Sequence, residues 1–461
     1  MRGVVWLAVF RGVGMLAQTA ACPPPTPYKY LRYDEDYSYL RDPACRTDPF
    51  DKLKFVPLNS AGDVYLSFSG ETRQTVEYFH NALWGQGPQG PAYSLQRYMG
   101  SVDFHWKKRL RFYGQMKSGL EFGRAGGPRV FDEDKLAVNQ AFVDIGISES
   151  SRSSFTLRAG RQELAYGATR WVSVREGPTV HQSFDAVRFI LTVRSWRVDA
   201  FASKPAETKP GVFDDQTDPT RTFWGVYATG PVHENSSHLD LYYLGLRHSN
   251  AKFQQGTAFE DRQILGTRLW GGGRSWDYDV EPLLQFGTFG KGSILAWAVE
   301  SETGYTIQHA RFTPRLGVVA AADSGDHDPA SPDLQTFNPL FPRGQYHELV
   351  NLLGHANAIF LNPTATLHVT KKLAITENWE FVWRESVNDG IYGVVGNFVR
   401  PGHPDEGRYV GSQPTTLVNW AVQRHLGFIF FYTHFYPGPF IRNSGPSKPV
   451  DQVSAWLDFK F

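Results

Sequence analysis

The sequence predicts an all-β chain closed into a single transmembrane antiparallel β-barrel of about 18 strands, with short periplasmic turns and long extracellular loops. Three observations lead there. Side chains alternate with a period of two along segment after segment. In 275–286, Ser275, Asp277, Asp279, Glu281 and Gln285 face one way, and Trp276, Tyr278, Val280, Leu284 and Phe286 the other. A helix would scatter both sets around its circumference. Connections interleave long with short, which a barrel with two unlike ends requires and a soluble sandwich has no reason to adopt. Finally, 15% aromatic residues and 44 glycines accompany a mean hydropathy of −0.37, a mixture suited to a wall whose strand positions face water and lipid in turn.

In chain order, residues 1–21 combine Arg2, an apolar run from Val4 to Phe10 and the small residues Thr19, Ala20 and Ala21, and are expected to be a secretory signal peptide. Beyond them no run of about 18 apolar residues predicts a transmembrane helix. Cys22 and Cys45 are the two cysteines; a disulfide, a lipidated Cys22 and two free thiols all remain open. Residues 22–61, rich in Pro, Tyr and charge, form an N-terminal leader, periplasmic or lumenal, before a barrel over 62–461.

The expected strands are 64–78, 93–106, 109–121, 136–148, 155–164, 184–194, 196–203, 222–231, 239–246, 262–270, 275–286, 293–302, 311–320, 356–369, 373–384, 409–420, 426–435 and 453–461. Lys107-Lys108 and Lys371-Lys372 mark short turns, whereas 165–183, 321–355 and 385–408 are long loops. Pro282, Pro314 and Pro363 fall inside expected strands, where a closed barrel has no free edge to take them. Segment 426–435 is apolar on both faces and fits the alternation poorly.

A balance of 47 Lys+Arg against 46 Asp+Glu, formal charge +1, gives no basic footprint for nucleic acid. Neither a phosphate-binding glycine loop, a zinc helix, a nucleophile elbow nor a cysteine cluster is present, and no cofactor is expected. The polar face carries a ladder of charge instead: Arg73, Arg111, Lys117, Arg158, Arg188, Arg194, Arg197, Arg268, Arg311, Arg315, Arg384 and Lys460 are expected to point inward, with Glu71, Asp103, Glu121, Asp277, Glu281, Glu380 and Asp458. Such a wall either neutralises itself or leaves a cationic constriction that draws anions through weak sites in series.

The blocks YKYLRYDEDYSYLRDP, LQRYMGSVDFH, YGQMKSGLEFGRAGGP, DEDKLAVNQAFVDI and LRAGRQELAYGATRWVSVREGPTVHQSFDAVR resemble the alginate-export family of outer-membrane β-barrels. The resemblance implies an eighteen-stranded barrel, integral to the bacterial outer membrane, whose arginine-rich pore passes an anionic polysaccharide or acidic sugars by passive diffusion. It assigns Arg161, Arg170, Arg175 and Arg188 as pore or loop residues; Arg158, Arg73, Lys117 and Arg194 join them from the strand register as substrate-binding candidates. Outer-membrane lipid and periplasmic secretion partners are the other expected contacts. The acidic content of the inner face departs from a simple cationic pore. Two alternatives stand beside this reading: a general porin for small anions or oligosaccharides, and an outer-membrane enzyme or adhesion barrel.

Overall fold

A computed structural model describes residues 22–23, 27–233, 236–344 and 352–461. The expected signal segment, 1–21, lies outside the described residues. Among those described, eighteen strands form the wall: β1 (Val64–His80), β2 (Tyr93–Trp106), β3 (Leu110–Phe122), β4 (Asp134–Glu149), β5 (Ser153–Gln162), β6 (Phe184–Val193), β7 (Trp196–Glu207), β8 (Arg221–His233), β9 (Ser237–Phe253), β10 (Gly256–Gly272), β11 (Trp276–Phe289), β12 (Gly292–Thr306), β13 (Arg315–Asp323), β14 (Ala358–His368), β15 (Leu373–Trp383), β16 (Tyr409–Gln423), β17 (Leu426–Pro437) and β18 (Val450–Lys460). Each pairs antiparallel with its successor. β18 then pairs with β1, from Glu71 opposite Lys460 to His80 opposite Asp451, so the barrel closes without a free edge. No described helix is long and apolar enough to cross a membrane; the crossing is made by strands.

Residue parity sorts the two faces. On β6, Val187, Phe189, Leu191 and Val193 are exposed on the outside while Arg188 is buried inside. On β1 and β2, Val76, Tyr78, Tyr98 and Val102 face outward, and Glu71, Arg73, Arg97 and Asp103 face in. Apolar outside and polar inside is the inverse of a soluble core, as hydrocarbon around the wall demands.

The structure departs from the expected spans where chemistry other than alternation decides. β9 and β10 run on to Phe253 and Gly256, past polar residues such as Arg247 and Asp261 that form an ion pair on the outer face. The alternation fades there, yet the ladder continues to Phe253 opposite Gly256. Arg311 is not on the wall: it precedes β13, exposed in a turn where Phe312 and Thr313 take positive φ, and it lies over the Phe312 ring. Pro314 belongs to the same turn. Pro363 is inside β14, and pairing with β15 skips from Leu361–Phe381 to Thr364–Asn378; Pro282 in β11 meets the same interruption against β10. A missing N–H is thus absorbed by one local break in one ladder. The doubly apolar β17 has its own reason: Phe435 turns inward and packs under Trp84, Phe440 and Ile441 of the extracellular loops.

The leader meets the barrel at its turn-bearing end. Cys22 and Cys45 are joined in a disulfide. Between them Tyr33 enters the lumen, donates its hydroxyl to the Glu163 carbonyl at 2.9 Å, and sets its ring edge-on to Phe142 and Tyr113. Arg32 Nη2 donates to the Phe461 carbonyl at 2.8 Å, and Phe50 stacks on the Phe461 ring.

Candidate functional site: a loop across the lumen

Loop 163–183 leaves β5, crosses the lumen and returns to β6. Its apolar residues Leu164, Trp171 and Val172 are buried because the inner wall offers Phe201, Phe223, Tyr242, Leu244 and Ile264 as partners. Burying those side chains, at about 1.5–3 kcal/mol each, keeps the loop inside rather than in external water. Gly167 makes the first bend at φ 58°; a Cβ there would lie 2.6 Å from the Tyr227 hydroxyl. A second segment, 324–344, pairs with the loop: Ser173 N–H donates to the Phe341 carbonyl and Phe341 N–H to the Trp171 carbonyl, each at 3.0 Å. The lumen is therefore narrowed by two paired segments, both of which the sequence marks only as long loops.

Charged anchors hold the loop at both ends. Glu176 accepts from Arg73, with Arg97 Nη1 3.2 Å away and His181 Nε2 at 2.9 Å. Burial alone would raise the Glu176 carboxyl, but Arg73, Arg97 and His181 outweigh it and hold it well below its ordinary value. Arg170, fully buried, extends Nη1 to Asp279 Oδ1 at 3.0 Å and Glu281 Oε2 at 2.7 Å on β11.

The other candidate residues separate into groups. Arg158 is buried in a two-pronged pair with Asp144, at 2.6 and 2.8 Å, under the Tyr33 ring. Arg188 is paired with Asp199 and gives Nη1 to the Tyr33 hydroxyl at 3.3 Å. Arg73 also binds Asp458 at 2.6 Å. Lys117 bridges Asp134 at 3.2 Å and Asp215 at 3.1 Å. On these positions the inner wall neutralises itself.

Two residues are not on the lumen wall. Arg161 has the opposite parity to Arg158 and pairs on the outer face with Asp185, at 2.8 and 2.9 Å. Arg194 sits exposed in the β6–β7 turn at φ 54°, its N–H donating to the Arg152 carbonyl; the turn, needing a left-handed residue, ends the strand one position earlier than the alternation suggests.

Arg175 differs from all of these. It takes φ 58° in the crossing loop, its backbone N–H donates to Ser173 Oγ at 3.0 Å, and among the described residues its guanidinium has no carboxylate partner. Burial pushes that group down to about 10, and the Arg221 charge nearby pushes the same way. It remains cationic at neutral pH. Arg343, exposed on the paired segment, is tied by its backbone to Thr169.

Residues 64–453 match the family described as alginate export. The chain belongs to the alginate export family. Among curated proteins none matches it in sequence. Solved structures share its fold at low identity. The BenF-like porin of Pseudomonas fluorescens Pf-5 aligns with TM-score 0.58 and 8% identity over 86% of this chain and 98% of that one. OccAB1 of Acinetobacter baumannii gives 0.57 and 11% over 89% and 99%. OpdK of Pseudomonas aeruginosa, solved with vanillate, gives 0.54 and 12% over 86% and 98%. Membership and architecture together make this alginate-export barrel an integral outer-membrane channel.

Sequence reasoning missed several residues that organise the channel. Arg97 carries the parity of Ser101 and Asp103 and was recoverable from register alone; Arg262, buried against Glu260, shares the parity of Arg268. Glu176 and His181 lie in a loop, where no periodicity announces which way a side chain points.

Proposed function

We propose that this channel passes an anionic polysaccharide or acidic sugar by passive diffusion, and that Arg175 is the cation the solute meets at the narrowest level. Arg175 carries the reading: Arg73, Lys117, Arg158 and Arg188 on the wall are bound to carboxylates, whereas this one, on the segment that crosses the lumen, is not, and Arg221 lies beside it. A carboxylate passing about 5 Å from such a cation gains about 3 kcal/mol at an effective dielectric near 20. That is enough to draw anions in and too little to trap them. In this reading residues 1–21 are the export signal, the leader stands at the periplasmic mouth where secretion partners would dock, and lipid covers the outer face.

Planar-bilayer recording tests it. The wild type is expected to prefer anions and to be blocked by polyuronate, and Arg175→Glu to shift the reversal potential toward cations. An unchanged reversal potential would make Arg175 an ordinary loop residue, and cation preference in the wild type would remove the anionic cargo. A second reading, a porin for small anions or oligosaccharides, draws on the paired segments that fill the lumen. Small uronates that permeate while the polymer neither blocks nor passes would favour it.

A further inference from the structure

Glu300 in the middle of β12, Asp323 at the end of β13 and His355 just before β14 come from three stretches of chain and meet inside the barrel. All three are buried, and one ligand atom from each lies within 4.8 Å of the others. His355 Nδ1 is 3.0 Å from Glu300 Oε1 and 3.3 Å from Asp323 Oδ2. The second Asp323 oxygen, Oδ1, is buried and has no hydrogen-bond partner. A carboxylate with zero exposure and an unmatched oxygen is costly unless something cationic takes it.

We propose that Glu300, Asp323 and His355 bind one divalent transition-metal ion of the zinc class. Ligand atoms around a four-coordinate ion with bonds of about 2.0–2.1 Å stand about 3.3 Å apart, close to the separations here. The Trp171 ring at 5.1 Å and the Phe360 ring at 5.7 Å from His355 wall the site with apolar surface. One nitrogen with two carboxylate oxygens suits Zn²⁺, Mn²⁺ or Fe²⁺; Ca²⁺ and Mg²⁺ prefer oxygen alone.

The ion would tie the 352–357 stretch to the β12–β13 wall. Through the Trp171–His355 contact it would also fix the loop that crosses the lumen. The assignment does not depend on what the channel carries.

The test uses the full chain, purified in detergent, stripped with a chelator and titrated with ZnCl₂ by calorimetry and elemental analysis. We expect one Zn²⁺ per barrel, Ca²⁺ binding at least about 100-fold weaker, and a loss of at least about tenfold in zinc affinity for His355→Gln and Asp323→Asn, with barrel folding checked by heat-modifiable gel mobility. No stoichiometric zinc on the folded wild type, or variants that bind it as the wild type does, would overturn the site. Should a variant fail to fold, zinc-edge absorption on the wild type decides. A coordination shell of about one imidazole and two carboxylates supports the assignment, and a shell of imidazoles or water alone overturns it.

Discussion

Arg170 reaches out of the crossing loop to Glu281 on β11, Nη1 to Oε2 at 2.7 Å, with both side chains buried. The pair joins loop 163–183 to a wall six strands away from the one it left. Removing one partner of a buried pair costs about 3–5 kcal/mol because the other charge is stranded. Arg170→Met should therefore loosen the loop while the ladders of the wall persist: single-channel conductance rises and becomes noisier, and heat-modifiable mobility stays. Conductance indistinguishable from wild type would mean the loop is held without this pair.

Arg188 makes the opposite case. Its guanidinium is committed to Asp199 and to the Tyr33 hydroxyl, so it presents little free charge to a solute. Arg188→Gln is expected to leave the reversal potential within error of wild type and to lower thermal stability by about 3 kcal/mol or more, read by the melting of β-sheet circular dichroism. A selectivity change as large as that of Arg175→Glu would show that Arg188 faces the permeation path after all.

How far the sequence could be read follows from where periodicity operates. Along the lipid-facing band each strand carries its own record, so Val187, Phe189 and Leu191 against Arg188 suffice to place both faces, and the strand number and closure follow. Above that band the outer face is polar too, and β9 and β10 outrun any alternation. The same limit governs the site. Arg158 and Arg188 are legible as inward because they stand on strands, and Arg161 can be placed outward by counting from Arg158. Whether those arginines are free or paired depends on cross-strand neighbours such as Asp144 and Asp199, known only once the register is fixed. The fold of loop 163–183 into the lumen is set by packing of Trp171 and Val172 against a wall distant in sequence.

The Cys22–Cys45 disulfide encloses residues separated by 23 positions, a loop whose closure restricts the undocked leader by about 3 kcal/mol of chain entropy. Reduction, or Cys45→Ser, should leave the barrel intact and make the leader more accessible. Limited proteolysis under reducing conditions is expected to cut between residues 27 and 55 several-fold faster, with the 64–461 fragment resistant. Equal cleavage rates would show that Tyr33 and Arg32 suffice to hold the leader.

Lys54 makes that docking sensitive to pH. Its side chain is buried at the periplasmic mouth, with Nζ 4.6 Å from the centre of the Tyr37 ring, 5.5 Å from Phe461 and 5.9 Å from Tyr28. Burial first, and the charge of Arg32 second, push the amine down to about 7; Glu35 and Asp48 pull the other way, as do the ring faces, which favour the ammonium. A released leader would restore the ordinary lysine value of about 10.4. Between about 7 and that value the docked form binds fewer protons than the released one, so docking strengthens as pH rises through the window and is weakest below it. Amide-exchange protection of the leader, corrected for intrinsic rates, should accordingly be higher at about pH 9 than at about pH 6, and Lys54→Met should flatten the difference. Equal protection at both pH values in the wild type would mean that the ring faces hold Lys54 charged throughout, and that the leader is fixed by contacts that do not titrate.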